Sequence, residues 1–195
     1  MEFVYAQYRP SPHAGVLGPI QEVEDDYELT MGVPRLDDWP SDARFELDAD
    51  FGIRLDDVMK CLGSLLVISD RLRAFLEAEA EHTANTEMLP VTILDHKGRP
   101  VDTPYVVAHH THLQEALDVE ASGATLNMID PTRVLLVDQL VIRPEAIDPT
   151  VRMFRLARFA SPVVFERGLA ERIQAEGFTG IGFAELAEYD RTTIL

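Results

Sequence analysis

Cysteine and tryptophan are nearly missing from this sequence, with one residue of each among 195. A single cysteine, Cys61, cannot form a disulfide within the chain, which excludes a disulfide-stapled fold and agrees with a reducing compartment. Cys61 begins the apolar stretch 61–68 and has no histidine beside it. We therefore expect it to be a small buried side chain and not a nucleophile.

Long apolar runs are also missing. No stretch approaches the roughly 20 apolar residues that a membrane-spanning helix needs, and the first residues lack the basic start and apolar run of a secretion signal. The sequence therefore predicts a soluble protein that stays in the cytoplasm.

Positive charge is scarce, with 17 Lys and Arg against 34 Asp and Glu, a formal net charge of −17. Nucleic acid and anionic membranes are bound through basic surfaces, so we expect neither as a partner. The same charge favours encounter with a basic protein. The alternative is that the acidic residues only keep the protein soluble.

Catalytic motifs are missing as well: there is no phosphate-binding P-loop and no G-x-S-x-G nucleophile motif. The one cluster of metal-ligating residues is His109, His110 and His112, which with a nearby carboxylate would make a metal-dependent enzyme the alternative function. The ligand set is incomplete, so the sequence predicts no metal and no cofactor. Two glycine-containing stretches, 48–52 and 180–183, lack the spacing of calcium or dinucleotide sites and predict turns.

The composition nevertheless supports a substantial core, since 46% of the residues are hydrophobic. Turn-forming residues crowd residues 1–40, whereas residues 41–186 carry most of the predicted strands and helices. Strands outnumber helices without alternating with them, which predicts an α+β fold with a mainly antiparallel sheet and two or three short helices. We expect one domain spanning 1–195.

Alternation and turn signals predict several strands and one hairpin. The hairpin spans 88–110, with a turn at 95–100, and Pro90 favours the edge or start of its first strand. The other predicted strands are 3–8, 64–68, 134–142, 152–159, 162–165 and 181–186.

Helical spacing predicts two helices. The first runs from Asp70 to Glu81, with Ser69 as its N-cap. Its apolar face comprises Leu72, Phe75, Leu76 and Ala80. The second would bury Leu169, Ala170 and Ile173 and end at Gly177.

The acidic residues are concentrated near the N-terminus, since residues 1–60 hold 14 acids and 5 bases. Loops on a rigid scaffold are common recognition sites. Our candidate binding residues for a basic partner are Glu24, Asp25, Asp26, Asp37, Asp38 and Trp39. If the partner is acidic instead, the basic strand with Arg152, Arg155 and Arg158 is the competing site.

Several stretches occur in an order typical of one known family. They are 65–72, 89–91, 97–98, 117–123, 153–156 and the closing glycine-and-phenylalanine stretch 177–183. In these the chain resembles the eleventh numbered family of bacterial polymorphic-toxin immunity proteins, over roughly residues 40–186.

The resemblance implies a role and no catalytic residues. Members of such a family bind a cognate toxin domain in the cytoplasm of the cell that encodes both, and block it. It does not name the toxin or the oligomeric state. A structural or adaptor domain without a toxin is the remaining alternative.

Overall fold

The computed structural model describes residues 1–79, 85–192 and 194. Its helices are α1 (Asp70–Ala78) and α2 (Arg167–Ala175). Its strands are β1 (Phe3–Arg9), β2 (Val16–Leu17), β3 (Arg44–Glu46), β4 (Val58–Cys61), β5 (Val67–Ser69), β6 (Thr86–Leu94), β7 (Tyr105–His110), β8 (Thr125–Leu126), β9 (Val134–Leu136), β10 (Met153–Arg155), β11 (Val163–Glu166) and β12 (Gly180–Glu185). The fold is mostly sheet with two helices, and neither helix is long and apolar enough to cross a membrane.

The first sheet has the strand order β10–β11–β1–β12, and all its pairings are antiparallel. Side chains of an interior strand alternate between the two faces of its sheet. In β1, Val4 and Ala6 enter one hydrophobic core, while Phe3 and Tyr5 enter another. Both faces of β1 are therefore covered, and residues 3–7 form a continuous buried run.

The second sheet has the order β2–β4–β5–β7–β6–β3. Its centre contains the predicted hairpin, in which β6 and β7 pair antiparallel. The two outer pairings, β2 with β4 and β3 with β6, are parallel. Both outer strands lie within the first 46 residues, and only β2 lies in the turn-rich stretch 1–40. The local sequence pattern did not reveal that these strands pair in parallel with strands much later in the chain. A separate small hairpin joins β8 to β9.

Pro90 lies inside β6 and not at its start. Its carbonyl accepts a hydrogen bond of 2.7 Å from the indole N–H of Trp39. The parallel neighbour β3 pairs with β6 only from Thr92 onward. The missing N–H of the proline is thus tolerated because this side of the strand has no ladder partner at that position.

One hydrophobic core lies between the two sheets and receives both helices. From the first sheet it takes Val4 and Phe165, and from the second Ile68 and Val106. The helices contribute Leu72, Leu76, Leu169, Ala170 and Ile173. We call it the shared core.

The helix α1 begins where the sequence predicts. The side chain of Ser69 accepts a hydrogen bond from the backbone N–H of Leu72, so the predicted N-cap is confirmed. The helix α1 ends at Ala78 and not at Glu81; residues 80 and 81 lie outside the described residues. Phe75, predicted on the inward face, is only partly buried and contacts Phe178 edge-on.

The strand predicted at 64–68 begins only at Val67. Gly63 and Ser64 have φ angles of 101° and 55°, so the chain turns there before it can extend. Cys61, just before this turn, is buried, and burial raises the pKa of its thiol to about 11. The prediction of a buried cysteine is confirmed.

Two other strands are shorter than predicted. Only Val134–Leu136 of 134–142 and Met153–Arg155 of 152–159 are strands. At the start of β12, Gly180 has a φ of 81°, and a Cβ there would lie 2.0 Å from the carbonyl oxygen of Val58. The predicted turn into the last strand therefore requires glycine.

Candidate binding surface

The acidic candidates lie in residues 24–39, which we call the acidic segment. It contains two 3₁₀ turns, Asp26–Thr30 and Leu36–Asp38. The carboxylates that the sequence singled out here are all exposed: Glu24, Asp25, Asp26, Asp37 and Asp38. They are therefore placed where a partner could reach them.

Arg35 joins the two halves of the acidic segment. Its guanidinium forms an ion pair with Glu28, with 3.0 Å between Nη1 and Oε2, and also donates to the backbone carbonyl of Glu24. The stretch that begins at Arg35 and contains Asp37 and Asp38 is thus tied to the stretch 24–28. Arg35 is also the only basic residue within the segment, so most of its negative charge remains uncompensated.

The acidic segment is fixed to the second sheet at three points besides the buried Leu29. The backbone N–H of Arg35 donates to the carboxylate of Glu87 over 2.8 Å. The Nε2–H of His109 donates to the carbonyl of Val33 over 2.7 Å. The third point is the Trp39–Pro90 hydrogen bond. A loop anchored in this way presents its charges in a fixed arrangement, which lowers the entropy cost of binding.

Trp39 is less exposed than the five candidate carboxylates. It is half-buried, packs against the core of the second sheet and donates its indole N–H inward to Pro90. The exposed apolar side chains of the acidic segment are instead Tyr27, Met31, Val33 and Leu36. Their spacing shows no periodicity, so no local pattern marks them as exposed beside the acids.

A cavity of about 530 Å³ adjoins the acidic segment. Thr30 and Met31 line one side, and the loop 130–133 together with Arg158 lines another. Residues about one hundred positions apart therefore form one concave surface. Sequence reasoning missed this loop because nothing local marks it as a neighbour of the acidic segment.

The three histidines do not come together as a metal site. His109 and His110 are neighbours on β7 and so point to opposite faces of the sheet, while β7 ends before the exposed His112. Within residues 1–79, 85–192 and 194, no group of three or more His, Cys, Asp or Glu side chains is placed to hold a metal ion. His110 and His112 would share a face only on a longer strand, and β7 ends at His110.

His110 is buried at the edge of the shared core, and its ring nitrogens have no hydrogen-bond partner among the described residues. Burial lowers the pKa of its imidazole well below 6.5, and the nearby Arg155 and His109 lower it further. Its neutral form is therefore the one compatible with the fold.

The depressed pKa of His110 predicts loss of stability in mild acid. The unfolded chain takes up a proton below about pH 6.5 that the folded chain refuses, so the stabilisation is complete above pH 6.5 and declines as pH falls. We expect a loss of about 1.4 kcal/mol per pH unit in this range, measured by urea unfolding between pH 7.5 and 5. His110→Leu should flatten this dependence, and His112→Gln should leave it unchanged. An equally steep dependence in His110→Leu would show that another group is responsible.

The prediction that the strand with Arg152, Arg155 and Arg158 offers a basic binding site is wrong at its central residue, Arg155. Arg155 is 3% exposed, and its guanidinium donates to the carbonyls of Ala160, Ser161 and Ser64. Arg158 is only half-buried, and it donates to the carbonyls of Pro131 and Thr132. Arg155 is thus buried and bonded to nearby carbonyls, and Arg158 is bonded to the loop 130–133. These side chains therefore do not form one continuous basic surface.

Comparison with known families places this chain beside a family of immunity proteins. A family model described as Immunity protein family (Imm11) matches residues 7–188. The match begins well before residue 40 and so includes the acidic segment. A search of curated proteins finds no match.

Proposed function

Because this chain belongs to the immunity protein family Imm11, we propose that it binds a cognate toxin domain in the cytoplasm and neutralises it by occupying its surface, without catalysis. The family match carries this proposal. The anchored acidic segment supports it, because fixed exposed carboxylates suit a basic partner. Many toxin domains attack nucleic acid and are basic, and we propose a toxin of that kind.

The contact surface that we propose is the acidic segment with its exposed carboxylates. Glu24, Asp25 and Asp26 would meet the partner beside Asp37 and Asp38. Trp39 would act from beneath, by holding the segment against β6 through its hydrogen bond to Pro90. Charges at the rim of an interface mainly set the association rate and its salt dependence.

The test is the variant Asp25→Asn, Asp26→Asn, Asp37→Asn, Asp38→Asn, assayed against the toxin domain encoded directly upstream of this chain. At low salt we expect association to slow about tenfold or more, because electrostatic steering is lost. The salt dependence of the association rate should also flatten. Stopped-flow mixing at several ionic strengths measures both.

A matched variant distinguishes the effect of charge in the acidic segment from the effect of net charge. Asp50→Asn, Asp102→Asn, Glu171→Gln, Glu176→Gln removes the same four charges from other exposed positions. If both quadruple variants slow association equally, only net charge matters and the acidic segment is not the contact surface. If the wild-type chain neither binds this toxin nor protects cells from it, the proposed function fails.

A further inference from the structure

Two adjacent apolar side chains at the tip of the β8–β9 hairpin are almost fully exposed. Met128 and Ile129 each have a relative exposure of 96%. No other large apolar side chain in the described part of the chain exceeds 70%. Single exposed apolar residues are ordinary, but an adjacent pair at a protruding tip is costly in water unless it has a partner.

The loop that carries this pair is held in a defined shape. The side chain of Asn127 accepts hydrogen bonds from the backbone N–H groups of Ile129 and Asp130. The side chain of Asp130 accepts from the backbone N–H and hydroxyl of Thr132. Arg158 then donates to the carbonyl of Thr132 over 2.8 Å. Met128 and Ile129 are thus presented by a braced turn, which limits the entropy lost when they are buried in a complex.

The hairpin tip is continuous with the acidic segment. Thr30 and Met31 of that segment line the 530 Å³ cavity together with the loop 130–133, which directly follows Ile129. The exposed apolar pair therefore adjoins a concave surface that two residues of the acidic segment also line. Protein interfaces commonly combine a few apolar anchors with a charged rim in this way.

We propose that Met128 and Ile129 are the apolar anchors of toxin binding and insert into an apolar pocket within a basic surface of the toxin domain. This rests on the proposed function and names the part of the surface that sets affinity. Charge complementarity favours a basic partner over a second copy of this chain. A symmetric contact through the hairpin would bring two acidic segments towards each other, and like charges across an interface oppose association.

The test compares Met128→Ser, Ile129→Ser with a control double variant, Phe51→Ser, Ile53→Ser. The control residues are 52% and 70% exposed and lie on a different loop. Against the purified toxin domain encoded directly upstream, we expect the hairpin variant to bind about 30-fold more weakly or worse, as for the loss of an interface hot spot. The loss should lie in the dissociation rate, with the salt dependence of association unchanged. The control should bind within about twofold of wild type.

Each other outcome overturns the inference in a recognisable way. If wild type binds and the hairpin variant binds equally well, the anchors lie elsewhere and the proposed function stands. If wild type does not bind the toxin at all, both proposals fail. If sedimentation shows a wild-type dimer that the hairpin variant loses, the hairpin tip is an interface between two copies of this chain.

If wild type binds phosphatidylcholine vesicles and the hairpin variant does not, the hairpin tip is a membrane contact. Unchanged thermal unfolding of the variant excludes a folding defect as the cause of weaker binding.

Discussion

Replacing Arg155 by Ala is expected to lower the free energy of unfolding by about 3 kcal/mol or more. Arg155 faces the shared core from β10, on the same side of the strand as Met153. Its guanidinium donates to the carbonyls of Ala160 and Ser161 in the loop that follows its own strand. It also donates over 2.7 Å to the carbonyl of Ser64, in the turn that leads into β5. Truncation removes this donor from three partly buried carbonyl groups.

Among residues 1–79, 85–192 and 194, no carboxylate forms an ion pair with Arg155. Desolvation lowers the pKa of its guanidinium to about 10, so the side chain is still protonated at neutral pH. Its contribution therefore comes from its donors and not from an ion pair. Arg155→Lys retains the charge but has only one nitrogen to serve carbonyls in two separate loops. We expect it to recover only part of the lost stability.

Chemical denaturation at pH 7.5 measures the effect, with Arg143→Ala as the matched control. Arg143 is exposed and donates to a single carbonyl, that of Glu115. Its removal should change stability by no more than about 0.5 kcal/mol. If Arg155→Ala is as stable as Arg143→Ala, the junction between the sheets does not depend on this side chain.

Asp57→Ala is expected to cost about 2–4 kcal/mol, because it removes a second polar junction between the sheets. One carboxylate oxygen accepts from the hydroxyl of Ser69 over 2.8 Å. The other accepts from the backbone N–H of Thr179 over 2.9 Å and from Arg71. Asp57 thus ties the start of α1 to the residue that precedes β12.

Thermal unfolding of Asp57→Ala, compared with Asp102→Ala, tests this junction. Asp102 is exposed, and its replacement should be close to neutral. Asp57→Asn keeps one acceptor oxygen and should fall between wild type and Asp57→Ala. Equal unfolding temperatures for Asp57→Ala and Asp102→Ala would contradict the role that the hydrogen bonds assign to Asp57.

Local patterns in the sequence were sufficient for features whose causes lie within a few residues. Ser69 caps α1 because its side chain reaches the N–H of Leu72 three residues later. Gly177, with a φ of 68°, follows the end of α2 for the equally local reason that glycine tolerates this conformation. The hairpin of β6 and β7 follows from alternation on both sides of a turn. The family resemblance likewise depended on the order of short stretches along the chain.

The candidate surface could be predicted only in part. The concentration of acids before residue 60 is visible in the sequence, and the five selected carboxylates are indeed exposed. The ion pair of Arg35 with Glu28 and the hydrogen bond of Trp39 to Pro90 are not visible there, because they depend on the tertiary fold. Composition records how much charge a segment carries, but the tertiary fold decides which of its side chains face solvent.

Tertiary structure alone decided the roles of the arginines and of the hairpin tip. In the sequence, Arg155 belongs to a predicted basic strand, and nothing marks Met128 and Ile129 as exposed. In the fold Arg155 is 3% exposed and the apolar pair is 96% exposed. Periodicity determines which residues share a face of one element, because it depends on backbone geometry alone. Whether that face meets water or another element depends on groups far away in the chain, such as the carbonyl of Ser64 that receives Arg155.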